Sequence, residues 1–144
     1  MRIQLYKLEN TKTPTKKNQL KATVKNGKLF FYRPKEIKEF KELAYYQLKS
    51  QLNKNYRGIG FKNKVSLCVI YFYKGRDRDL DNMSSSLRDS IQSAGIIRND
   101  IDIVVSKEAK IKSEEDKVLL EISSHNERGV FNTELFIKKF GEEE

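Results

Sequence analysis

Hydrophobic and polar positions change period several times along this chain, and each change marks an element. RIQLYKL, near the start, alternates and predicts a strand, while TKTPTKKN after it reads as a loop. GKLFFYR predicts a short second strand. From Lys35 to Leu52 the apolar residues Ile37, Phe40, Ala44, Leu48 and Leu52 recur at helical spacing among charges, the mark of an amphipathic helix. A loop rich in Gly, Asn and Lys (NKNYRGIGFKNK) leads into VSLCVIYFYK. That run is apolar at both parities, as expected of a central strand covered on each face.

Beyond it, Asn82 to Ala94 reads as a second helix with Met83, Leu87, Ile91 and Ala94 on one stripe, Asp81 as its N-cap and Gly95 as its stop. Ile101, Ile103, Val105, Ala109 and Ile111 alternate with polar residues and predict a half-buried strand. SEED then makes a turn, and KVLLEIS is expected to pair back as a hairpin. NTELFIKKF predicts a terminal helix and GEEE a frayed tail. The expected fold is α+β, one domain over residues 1–144 with a mixed sheet packed against helices; no repeat or linker interrupts it.

Composition narrows the chemistry. No apolar run approaches the length that crosses a bilayer, the start lacks a signal-peptide core, and the single cysteine, Cys68, can form no intrachain disulfide. These features point to a cytoplasmic protein without membrane attachment, in which Cys68 serves as a small buried hydrophobe. His125 is the one histidine, which removes a His/Cys zinc site and a Ser-His-Asp triad from consideration.

The formal net charge is +9, unevenly spread. Residues 1–35 carry ten Lys and Arg against one acid, whereas residues 73–144 carry twelve against sixteen. The basic N-terminal region, with Lys16, Lys17 and Lys21 among its cations and Phe30, Phe31 and Tyr32 interleaved, suits a phosphate backbone. A solubilising lysine-rich surface would give the same composition.

Against that field stands DRDLDN. Asp79 and Asp81 lie two apart where a strand yields to a helix, so in extended backbone both carboxylates face one volume. Like charges so close call for something positive between them. Asp100 comes after the helix, just before the next strand. If that strand lies beside the first, Asp100 is expected to return toward the pair. Three such acids without histidine make an oxygen-only site that suits Mg²⁺ or Mn²⁺, and with it metal-dependent phosphodiester chemistry. Read structurally instead, DRDLDN is an acidic turn with an N-cap.

The series R-D-x-D-L-D-N, a helix carrying Asp89, and A-G-I-I-R-N-D-I-D-I resembles the RusA-like family of Holliday junction resolvases. TPTKKN followed by GKLFFYRPKEIKEFKE resembles that family's first loop, strand and helix, so the likeness spans residues 2–123. It implies a small homodimeric, Mg²⁺-dependent endodeoxyribonuclease that cuts four-way DNA junctions in recombination and repair. It also implies that Asp79, Asp81 and Asp100 are the metal-binding acids and that Asn82 is the family's asparagine. Lys74 and Arg76, just before those acids, join Lys16, Lys17 and Lys21 as candidate DNA contacts. Two positions depart from the family pattern. Asn99-Asp100 stands where many members have paired acids, and Ser85 stands where the family has a catalytic lysine. Arg88, three residues on, is the favoured replacement cation, with Lys107 and Lys110 as competitors. The alternatives are a junction- or duplex-binding protein that has lost catalysis, and a less specific metal-dependent nuclease.

Overall fold

The computed structural model describes residues 2–14, 21–32 and 34–125. Four strands form one mixed sheet in the order β1–β6–β4–β5, with β1 Ile3–Glu9, β4 Val65–Tyr73, β5 Ile103–Lys112 and β6 Lys117–Ser124. β6 runs antiparallel to both β1 and β4, while β5 runs parallel to β4. Two helices, α1 Lys35–Tyr56 and α2 Leu80–Ser93, complete the main body. A separate two-stranded ribbon, β2 Lys21–Lys25 with β3 Lys28–Tyr32, stands apart from the sheet. The α+β class and mixed sheet expected from the patterning are what the chain adopts. The terminal helix and tail expected after Ser124 lie outside the described residues, as does the second half of the TKTPTKKN loop.

Both helical stripes behave as their spacing predicts. Ile37, Phe40, Ala44, Leu48 and Leu52 of α1 are buried, and so are Met83, Leu87, Ile91 and Ala94 at α2. All of these except Ile37 join one core with Tyr6 and Leu8 of β1, the odd-numbered residues of β4, and Val118, Leu120 and Ile122 of β6. Each large apolar side chain so buried contributes on the order of 1.5–3 kcal/mol. The glycine after α2 also stops the helix as expected, with Gly95 at φ +81°. Close packing at this corner demands another glycine. A Cβ at Gly60 would overlap the carbonyl oxygens of Gly95 and Ile96, where Phe61 N–H donates to Ile96 O at 2.7 Å.

Three expectations are corrected. Among the described residues β4 is central but covered on one face only, because both helices pack on the same side. Cys68 is therefore exposed rather than buried, and Ile70 and Phe72 are half-buried. β6 does not pair back on β5. The connection crosses the end of β4, where Ser113 N–H donates to Tyr73 O at 2.7 Å, and β6 takes the other side of β4. Ile103 packs against the core as expected, but a register shift between Val65 and Ser66 reverses the parity of β5 beyond it. Its register with β4 sets Ser106, Glu108 and Lys110 beside the buried residues Leu67, Val69 and Tyr71. Val105, Lys107, Ala109 and Ile111 share the uncovered face instead. Polar partners on α2 make the inward polar row tolerable, as described below. Among the described residues no helix is long and apolar enough to cross a membrane.

Candidate functional site

The acidic loop after β4 is anchored by its one inward residue. In Asp77-Arg78-Asp79 the alternation that turns the acids outward turns Arg78 inward, where it is 5% exposed. Its guanidinium pairs with Asp116 at 3.0 Å and donates to Thr13 O and Thr13 Oγ1 at 3.3 Å and to Lys74 O at 3.1 Å. Asp116 also accepts from Lys74 N at 3.2 Å. One buried ion pair thus fastens the loop, the segment after β1 and the β5–β6 connection together. Arg78 and Asp116 were not singled out from sequence, although the parity of Arg78 between alternate acids was a readable signal.

Asp79, not Asp81, is the N-cap of α2. Its Oδ1 accepts from Asp81 N–H at 2.8 Å and Asn82 N–H at 3.4 Å. The helix consequently starts at Leu80, two residues earlier than expected. Asp79 and Asp81 are both exposed at a helix terminus whose free N–H groups favour anions. Lys110 of β5 approaches from the side, 2.7 Å from Asp77 Oδ1 and 2.7 Å from Arg78 O. Its hydrogen bond to Asp77 raises the Lys110 pKa above 10.5, with Asp79 adding to the effect, and lowers that of Asp77 below 3.8.

Arg88 takes a different partner. Glu108 accepts from Tyr71 Oη at 2.6 Å, from Ser84 Oγ at 2.9 Å and from Arg88 at 3.4 Å, forming a polar cluster between β4, β5 and α2. Burial, then the neighbouring Glu108 charge, pushes the Tyr71 phenol well above its ordinary pKa. The cluster explains how β5 keeps Glu108 on the packed face. Sequence reasoning missed it because the contacts join residues far apart in the chain. Ser85, one position past Ser84, faces solvent.

Asp100 is also exposed, in a short 3₁₀ turn (Asp100–Asp102) capped by Asn99. Its N–H donates to Gln92 Oε1 at 3.2 Å, which fixes it at the C-terminal end of α2. From Asp81 to Gln92 the helix rises about 16 Å. β5 gives a second ruler: Asp100 precedes its first residue, whereas Lys110 sits near its last turn of pairing, over 20 Å away at about 3.3 Å per residue. The strand after α2 does lie beside β4, as the sequence led one to suppose. Because it runs parallel, however, one chain places Asp79 and Asp81 at one end of α2 and Asp100 at the other. Among the described residues no three acidic, His or Cys side chains form a ready group of metal ligands.

Basic side chains rim the Asp79 end. A groove of about 520 Å³ is lined by Lys12, Lys74, Gly75, Arg76, Arg78 and Asp116. A second, of about 470 Å³, shares Lys12 and continues past Lys21, Tyr32 and Lys35, with Glu36 and Glu39 on its helical wall. Of the candidate DNA contacts, Lys21, Lys74 and Arg76 therefore fall on one connected surface; Lys16 and Lys17 lie outside the described residues.

Over 122 residues the chain is 29% identical to the crossover junction endodeoxyribonuclease RusA of Aquifex aeolicus (strain VF5), covering 83% of this chain and 90% of that relative. No family model matches the chain.

Proposed function

We propose that this protein is a RusA-like, homodimeric endodeoxyribonuclease that resolves four-way DNA junctions with the help of Mg²⁺ or Mn²⁺. The observation that carries the reading is an exposed carboxylate pair, Asp79 and Asp81, directly after Arg78, which lines a basic groove with Lys12, Lys74 and Arg76. It is supported by similarity to a named junction endonuclease over 83% of the chain. An acid pair inside a field that attracts polyanions is costly in DNA binding unless it recruits a cation at the phosphate.

On this reading the dimer is part of the chemistry, which the distance of Asp100 from Asp79 and Asp81 supports. A two-fold axis that sets the α2–β5 units of two copies antiparallel brings Asp79 and Asp81 of one protomer to the partner's Asp100, and does so twice. The donor set is then three carboxylates with no nitrogen or sulfur, which fits a hard divalent ion. Such an ion, when bound, neutralises phosphate charge and activates water. The chain's own residues do the rest. Asp79 holds the start of α2 in place through Oδ1, and its cap makes no use of the other carboxylate oxygen. Lys74, Arg76 and Lys12 hold phosphates in the groove. Lys110, already drawn to this end of α2, is placed to meet charge developing on the phosphate where the family pattern has a lysine and this chain has Ser85. Arg88, held by Glu108, is the other cation proposed for that task.

Ser85 also favours a second reading, a junction-binding protein without catalysis. Incubation with a four-way junction, a matched linear duplex and Mg²⁺ separates the readings. Paired symmetric nicks in the junction alone support resolution. Binding without nicks supports the second reading, and nicked linear duplex indicates a less specific nuclease.

A further inference from the structure

The β2–β3 ribbon has two chemically different faces. Its register pairs Lys21 with Tyr32, Thr23 with Phe30 and Lys25 with Lys28, and since residues opposite one another share a side, these six form one face. Ala22, Val24, Leu29 and Phe31 form the other. The first face thus combines three ammonium groups with two aromatic rings, and the ribbon from Lys21 to Tyr32 contains no acid. The turn at its tip is stiff, with Asn26 at φ 52° and Gly27 at φ 75°, the double positive φ of a type I′ hairpin.

None of this is buried. All of β3 is exposed, including Phe30 at 48% and Tyr32 at 47%, and in β2 only Thr23 is half-buried. A lone two-stranded ribbon with exposed rings gains little stability from its own folding and invites aggregation. Its base opens into the groove shared by Lys21, Tyr32, Lys12 and Lys35, which joins the groove of Lys74 and Arg76 beside the acids.

We propose that the Lys21, Lys25, Lys28, Phe30 and Tyr32 face of the ribbon binds unpaired nucleotides, its lysines on phosphates and its rings stacked on exposed bases. Charge selects a polyanion, and the rings select its unpaired form. In a duplex the base faces are covered by their neighbours, so Phe and Tyr have nothing to stack on. Lysines alone could meet guanine edges in a major groove, but two exposed rings beside them would then go unused. The stacking platforms of single-strand binding proteins combine these two ingredients, a basic track and aromatic rings. Phe30 and Tyr32 stand about 6.8 Å apart along the strand, roughly two base-stacking steps, so each ring can take its own base. The inference rests on the junction-nuclease reading for its setting: stacking is interrupted at the crossover, so the base pairs there are the easiest for such an enzyme to open and stack upon.

The chain contains no tryptophan, so Phe30→Trp and Phe31→Trp each install a sole reporter on adjacent residues of opposite faces. Each is titrated with single-stranded oligo(dT) at low salt without divalent metal. Saturable quenching of Phe30→Trp with little change in Phe31→Trp is the expected result. In parallel, Phe30→Ala/Tyr32→Ala should weaken oligo(dT) binding about tenfold or more while keeping its salt slope. Lys25→Ala/Lys28→Ala should flatten that slope by about 1.4 units, about 0.7 for each phosphate no longer neutralised. Equal quenching of both reporters, or none at Phe30→Trp, overturns the proposal. So does a result in which Leu29→Ala/Phe31→Ala dissociates the protein into monomers while Phe30→Ala/Tyr32→Ala binds normally, which would make the ribbon a dimer arm. Because these titrations need no cleavage, a protein that shows the Phe30 quench yet never nicks a junction overturns the nuclease reading alone. One that nicks junctions with unaltered Phe30→Ala/Tyr32→Ala behaviour overturns this inference alone.

Discussion

Replacing Arg78 with Met tests how the acidic loop is held. The substitution keeps an unbranched chain of similar reach and removes the charge. It leaves Asp116, 9% exposed, without its cation and strips Thr13 O and Lys74 O of a donor. Breaking a buried pair by removing one partner typically costs about 3–5 kcal/mol. Asp116 retains the Lys74 N–H at 3.2 Å, so the lower end, about 3 kcal/mol, is the expected loss. For a chain of this size that is a fall in Tm of roughly 6–12 °C. Urea denaturation of the wild type, both single variants and Arg78→Met/Asp116→Asn completes a double-mutant cycle, with an expected coupling of about 1–3 kcal/mol. A loss under about 1 kcal/mol for Arg78→Met, with no coupling to Asp116, would refute the claim that this pair ties the three segments together.

Other consequences can be measured separately. The Asp77 carboxyl should titrate below pH 3.8 because Lys110 favours its charged form, so the pair's stabilising contribution is present above pH 3.8 and fades as pH falls through the native Asp77 pKa. Carbon-detected NMR should show that midpoint rising in Lys110→Met, and an unmoved midpoint would sever the two residues. Asp79→Asn or Asp100→Asn should abolish junction cleavage while leaving affinity equal or higher, and near wild-type cutting by either variant at saturating Mg²⁺ would remove it from the site. Lys110→Ala should slow cleavage about a hundredfold with little loss of binding, whereas a larger effect of Arg88→Ala would transfer that role to Arg88. Gly60→Ala should destabilise by about 1–3 kcal/mol through its clash with the Gly95–Ile96 backbone, and a neutral melt would argue against that close approach.

Local periodicity told most where contacts are local. The stripes of α1 and α2 could be read residue by residue because a helix repeats its own face every few positions. The α+β class followed from the order of those elements. What sequence could not show was which neighbour each strand would take. β6 alternates as a hairpin partner of β5 would, yet pairs with β4 and β1, and nothing in KVLLEIS distinguishes the two. Apolar alternation in β5 suggested which face was inward. The packed face instead accepts Glu108 because Tyr71, Ser84 and Arg88 supply donors from elsewhere in the chain. Cys68 looked buried for the same reason that Ile70 and Phe72 did: a sheet face can be apolar without a helix over it. At the site, spacing located Asp79, Asp81 and Asp100 but not the distance between them. That distance depends on whether the return strand runs parallel, and a parallel return puts the full length of α2 in between.

That separation gives the central claim its most direct test. Asp79→Asn and Asp100→Asn chains are co-expressed and assayed together on a four-way junction with Mg²⁺. If each site takes Asp79 and Asp81 from one protomer and Asp100 from its partner, a mixed dimer has one site with both substitutions and one with neither. Two individually dead variants should then recover about a quarter of the wild-type nicking sites per protomer on random pairing, as single-strand nicks rather than paired ones. If the mixture is as inert as either variant alone while the wild type cuts, the site is built within one chain and the account is contradicted.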